Sequence, residues 1–263
     1  MRLIRFRLAA VLFCSVLATN ASARPNVIVV FVDDLSWPDL GCQEAVDDIR
    51  TPHLDDLAAR GVRLTSGYVT APQCSPSRAG LLTGRYQQRF DFDHIGMCPL
   101  PLSETLFAEM LRDAGYATGM VGKWHLEPNH TSKAWASRQQ PPVAIGKGGR
   151  VRLTREMISP YLPDVRGFDD IFKGEMSRYW ANYGLDGRSY PEPRHEDHPG
   201  YRLDLQTDAA VQFIRRRHEG PFYLHLAYFA PHVPLEATPR YPRAFSRSDA
   251  GAAPLRPGDD VGC

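Results

Sequence analysis

An excess of charge of either sign is the first thing this chain lacks. Its 263 residues hold 31 Lys and Arg against 30 Asp and Glu, a net charge of +1. Three of those arginines, Arg2, Arg5 and Arg7, lie in the acid-free stretch 1–23, and removing it leaves −2. A balance so near zero offers no basic surface to a nucleic-acid backbone, which argues against that class of partner. Long apolar runs are also missing after residue 23, so no stable membrane anchor is expected. Cysteine is scarce, with no C-x-x-C pair among Cys14, Cys42, Cys74, Cys98 and Cys263. That argues against a zinc site and against a disulfide framework. No internal repeat and no domain linker is visible.

What is present begins with a leader. The three arginines precede an apolar run from Leu8 to Ala18, and Ala21-Ser22-Ala23 has the small-x-small form of a cleavage site. Residues 1–23 therefore read as a signal peptide and the protein as exported, periplasmic or secreted. Cys14 follows Phe13 rather than a small residue, so a lipid anchor is not expected. Export permits a disulfide, and Cys42 with Cys98 is the conceivable pair.

The mature part alternates strands and helices. "NVIVVFV" (26–32) is β-branched and apolar throughout, as for a strand buried on both faces, and ends at Asp33-Asp34. A helix is expected over 51–61, and another over 103–115 with Ser103 as N-cap and Gly115 as stop. "YATGMVG" (116–122) reads as a strand ending at Lys123-Trp124-His125, and a helix is expected from about Leu205 to Arg217. "PFYLHLAYF" (221–229) is a third buried strand, ending at Pro231-His232-Val233-Pro234. This order predicts an α/β fold with a mostly parallel sheet flanked by helices. Ligands of such sheets bind beyond the carboxyl ends of the strands, where these three strands carry their polar residues. The Pro-, Gly- and Arg-rich stretch from Asn129 to Arg202 reads as long surface loops, with 167–172 touching the core.

Two adjacent carboxylates at a strand end suit a hard cation, since otherwise they repel. Cys74 opens a helix that continues through Pro76, Ala79 and Leu82 to Gly84. A helix N-terminus favours an anion, and Arg78 one turn on adds a second positive group. Several other features read as structural. "HEDH" (195–198) suits solvated loop residues, His225 a satisfied core histidine, and 215–217 a basic helix end. Asn129-His130-Thr131 is a glycosylation sequon by pattern only.

Cys74-Ser75-Pro76-Ser77-Arg78 followed by "AGLLTGR" resembles the signature of type I sulfatases, within the alkaline phosphatase-like superfamily. "PNVIVVFVDDL", "TPHLDDLAARGVRLTSGY", "GYATGMVGKWHL" and "YFAPHVPLEA" are similar to further family segments in the same order, so the resemblance spans roughly 25 to 245. It implies sulfate ester hydrolysis with Cys74 converted to formylglycine by a formylglycine-generating enzyme. The hydrated aldehyde is a gem-diol: one hydroxyl attacks sulfur, the other expels sulfate. By the same resemblance, calcium is held by Asp33 and Asp34 and touches the gem-diol at position 74. Arg78 holds the diol, Lys123 binds sulfate oxygens, His125 takes part in the elimination, and His232 contacts the bridging oxygen. The substrate is a small-molecule or carbohydrate sulfate ester.

The later Asp-Asn or Asp-His pair and second lysine of that family have no counterpart here. Residues 24–248 thus read as the N-terminal portion of the catalytic domain, incomplete at the C-terminus, with 249–263 an atypical tail. Asp259-Asp260 follows no strand and is not equated with the absent ligands. Phosphate or phosphonate ester hydrolysis, and a non-catalytic truncated remnant, remain as alternatives.

Overall fold

The computed structural model describes residues 24–46 and 49–237. The expected leader, the tail, Cys263 and Asp259-Asp260 lie outside the described residues. Among the described residues six strands form one mixed sheet. They are β1 (Val27–Asp33), β2 (Ala117–Gly122), β3 (Asp170–Gly174), β4 (Arg178–Tyr183), β5 (Ser189–Asp197) and β6 (Phe222–Pro231), in the order β1-β6-β2-β3-β4-β5. The first four in that order are parallel, and β4 and β5 add an antiparallel ribbon at one side. The α/β expectation holds.

The helices are α1 (Pro52–Arg60), α2 (Cys74–Thr83), α3 (Phe107–Asp113), α4 (Lys133–Arg138), α5 (Arg155–Ile158) and α6 (Arg202–Arg217). They cover both faces of the sheet. Alternate side chains of β6 face opposite ways. Tyr223 joins a core with Ala79 and Leu82 of α2 and Ala108 of α3, while Phe222, Leu224 and Leu226 join Leu205, Ala209 and Phe213 of α6. Residue 119 lets α6 approach closely: a Cβ on Gly119 would meet the Phe213 ring at 2.4 Å.

Four expectations change. Among the described residues β1 is covered on one face only: Val27 and Val29 pack on the α2 side, but Ile28 and Val30 remain 47% and 54% exposed on the α6 side, because α6 does not reach this margin. The second helix starts at Phe107, not Ser103; Glu109 caps it by accepting from Leu106 N at 2.7 Å. The segment 129–202 is not all loop, since it contains β3, β4 and β5. Buried Tyr179, Ala181 and Tyr183 alternate along β4, and Pro191 and Pro193 sit in β5, the sheet edge, where an absent N–H is tolerated. "HEDH" therefore begins on a strand rather than in a loop. Cys42, Cys74 and Cys98 are free thiols, so no Cys42–Cys98 bridge forms.

The minor readings divide. Phe168, Ile171 and Phe172 are buried, as 167–172 required. The basic helix end is present, and Arg216 and Arg217 also pair with buried Asp170 at 3.3 and 2.7 Å. His225 is buried, yet its Nδ1 has no hydrogen-bond partner, so it is not satisfied. Asn129 is turned inward: its Oδ1 accepts from Thr131 N and Oγ1 at 2.8 and 2.6 Å, and its Nδ2 is buried, which leaves the sequon poorly placed for a glycan.

Candidate active site

Three parallel strands end together and deliver the site. β1 ends at Asp33, where its register against β6 slips, so that Asp33 lies opposite Pro231. Asp34 then turns into the left-handed region at φ 61°. β2 ends at Gly122, with φ 97°, where a Cβ would come 2.0 Å from the carbonyl oxygen of Ala227. Lys123 N donates to that same carbonyl at 2.8 Å, and the chain leaves the sheet with His125 at φ 57°. Asp34 and His125 are non-glycine residues in a costly conformation, about 1–3 kcal/mol each, which the surrounding packing must hold. β6 supplies Phe229 and, just beyond its end, His232.

At the centre is a buried charge network. The Asp33 carboxylate takes Lys123 Nζ on Oδ2 at 2.5 Å and Arg78 Nη2 on Oδ1 at 3.1 Å, all three side chains almost fully enclosed. Burial opposes ionisation of Asp33, but the positive charges of Arg78 and Lys123 outweigh it and hold its carboxyl below the usual range. Arg78 Nη1 also donates to Lys123 O at 2.8 Å, tying α2 to the end of β2. Aromatic rings support both cations, with Phe31 4.8 Å from the Arg78 guanidinium and Phe229 4.9 Å from Lys123 Nζ.

Cys74 is the first residue of α2, half-buried, after Gln73 as N-cap. Pro76 suits the first turn because it lacks an N–H that the turn would leave unpaired. Gly84 ends the helix at φ 63°. Cys74 Sγ is 3.3 Å from His125 Nδ1. Burial, then the charge of Lys123, pushes the His125 imidazole down to about 4, so it is neutral at pH 7. His232 Nδ1 donates to Val233 O at 2.7 Å and its ring stacks on Phe229 at 4.7 Å. Its Nε2 then faces Asp34 Oδ2 at 3.7 Å. A pocket of about 180 Å³ joins Asp33, Asp34, Gln73, Cys74 and Ser77.

All seven expected residues thus lie together beyond the carboxyl ends of β1, β2 and β6. Lys123 reaches Asp33 rather than open space, and Arg78 points at Asp33 as well, not at the N-terminus of its own helix. The oxygens of Asp33 and Asp34 are hard donors, as calcium requires, but among the described residues they fall short of the six to eight ligands it takes. Among the described residues no group of three or more His, Cys, Asp or Glu could hold a metal ion. The sequence reading missed the rings of Phe31 and Phe229 under the cations. It also missed Gln73, whose Oε1 accepts from Ile95 N at 3.1 Å and fixes the entrance to α2. Aromatic residues in the last turns of strands that end in charges were the available signal.

The sulfatase family model matches residues 25–254. This chain belongs to the sulfatase family. Dog arylsulfatase G is 32% identical over 82% of the chain and 42% of its own length. Mouse N-acetylgalactosamine-6-sulfatase is 32% identical over 94% of the chain and 47% of its own length. The chain thus spans less than half the length of these curated relatives. A solved structure of a protein bound to its substrate D-glucosamine-2-N,6-O-disulfate is 25% identical, with a TM-score of 0.57, covering 82% of this chain and 36% of the other. A solved structure from Bacteroides fragilis, 22% identical, shares the fold with a TM-score of 0.62 over 86% of this chain and 48% of its own.

Proposed function

We propose that this sulfatase-family chain carries the nucleophile half of a sulfate ester hydrolase, exported and acting on a carbohydrate or small-molecule sulfate. The observation that carries the reading is the contact of Cys74, at a helix N-terminus, with a neutral His125 beside the Asp33–Arg78–Lys123 network. Conversion of Cys74 to formylglycine by a formylglycine-generating enzyme would supply the hydrated aldehyde as nucleophile.

The chain's own residues prepare that position. The first turn of α2 presents N–H groups and the positive end of its dipole to an anionic ester. His125 Nδ1 accepts a proton from the group at position 74. Arg78 and Lys123 fix Asp33 and outnumber it, so that the enclosed trio keeps an excess of positive charge before an anion enters. His232, whose Nδ1 donates to the Val233 carbonyl, would in its doubly protonated form offer the Nε2 proton to a leaving oxygen. Asp33 and Asp34 would contribute oxygens to calcium, which would draw negative charge from the ester when bound.

The test is to express the chain with a formylglycine-generating enzyme, determine the mass of the Cys74 peptide, and compare hydrolysis of aryl sulfate and aryl phosphate with calcium present. Conversion together with sulfate-selective turnover that Cys74→Ala abolishes is the expected result. Faster phosphate cleavage would replace the reading by its phosphatase alternative. Unconverted Cys74 and no turnover would leave the remnant.

A further inference from the structure

Beyond His125 lies a second, larger cavity of about 490 Å³, which meets the small pocket at the Cys74–His125 contact. It is of a size that encloses a ring-shaped organic ligand. Leu153, Ile158 and Leu162 make an apolar wall, and Trp180 of β4 makes a flat one. An ester whose sulfur sits at Cys74 would send its alcohol portion this way.

The charges in this cavity are unequally matched. Lys173 is neutralised by Glu127 at 2.5 Å. Arg155 has no carboxylate at ion-pair distance among the described residues; its guanidinium lies 5.2 Å from the Trp180 ring centroid. The ring contact restrains the guanidinium, whose N–H groups suit a two-pronged contact with an oxyanion. Holding it beforehand lowers the entropy lost on binding. Glu175 lines the same cavity and also has no ion-pair partner among the described residues, which suits it to accept from hydroxyls. A plain aryl alcohol would stack on Trp180 but leave Arg155 unused.

We propose that the leaving alcohol is a saccharide carrying a second anionic group, and that Arg155, stacked on Trp180, is the specificity residue that reads that group. This rests on the sulfate ester reading above. The test needs no turnover. The full chain, with Cys74 unmodified, is titrated calorimetrically with three desulfated disaccharides: one neutral, one with a uronate carboxylate, and one with a sulfate remote from the cleaved position. The acidic sugars should bind about tenfold or more tightly than the neutral one. Arg155→Gln should bring the three close to equality while leaving the neutral sugar unchanged, and Arg155→Lys should restore only part of the preference. Trp180→Leu should weaken all three. Preference for the uronate alone would assign the anion as a carboxylate, for the sulfate alone as a sulfate.

An acidic preference that survives Arg155→Gln, or no binding of any sugar, overturns the proposal. If the preference depends on Arg155 but no sulfate ester is ever cleaved, the anion site stands and the hydrolase reading falls. Sulfate ester cleavage with no effect of Arg155 does the reverse.

Discussion

β1 and β6 run side by side in parallel, paired from Val27–Tyr223 to Val32–Tyr228, and both are mostly apolar, with His225 the exception on β6. Their surroundings differ. On β6, Leu224 and Leu226 are buried under α6; their register partners on β1, Ile28 and Val30, face the same way and stand about half exposed. Strand pairing alone does not bury a side chain; a layer over the face does. The catalytic end respects the difference. The network around Asp33 is enclosed because α2, β2 and Phe229 cover it, although Asp33 belongs to the uncovered strand.

The comparison breaks first at Asp33. Asp33→Ala leaves Arg78 and Lys123 buried without their counter-charge, and should destabilise the chain by about 3–5 kcal/mol in urea unfolding. A loss no larger than at an exposed position would mean that the network is not enclosed. On the covered face, Leu224→Ala should cost about 2–5 kcal/mol, with a lower urea midpoint and an unchanged slope.

His225 sharpens the contrast through pH. Burial, then the charge of Arg78, lowers its imidazole to about 3, from 6.5 in the unfolded chain. The unfolded state takes the proton first, so stability is fully present above about pH 6.5 and is lost as pH falls toward 3. His225→Leu should reduce the fall in urea midpoint between pH 7 and pH 4; an identical fall would place the acid sensitivity elsewhere. The smallest effect belongs to the open face. Val30→Thr should shift stability by no more than about 0.5 kcal/mol. A loss close to that of Leu224→Ala would show that something covers β1 in solution.

The strand ends were legible in the residues because polar pairs at the ends of apolar runs leave a parallel sheet in one direction. Cys74 at a helix start was legible from Pro76 and Gly84. β4 and β5 were not, since prolines and arginines hide the alternation of Tyr179, Ala181 and Tyr183, and an edge strand tolerates such residues. The second helix start was hidden by Ser103, a good cap in a turn that precedes the helix actually capped by Glu109.

The amino-acid sequence by itself determined the α/β alternation, the residues at the strand ends and the family, because each depends on local periodicity and spacing. Only the tertiary structure decided which partner each charge takes. Lys123 and Arg78 both turn to Asp33 because a buried carboxylate must be compensated where it lies, and His125 meets Cys74 because a left-handed residue swings it across the end of β2. It alone decided that β1 is covered on one side, since burial is a property of the layers around a strand and not of the strand.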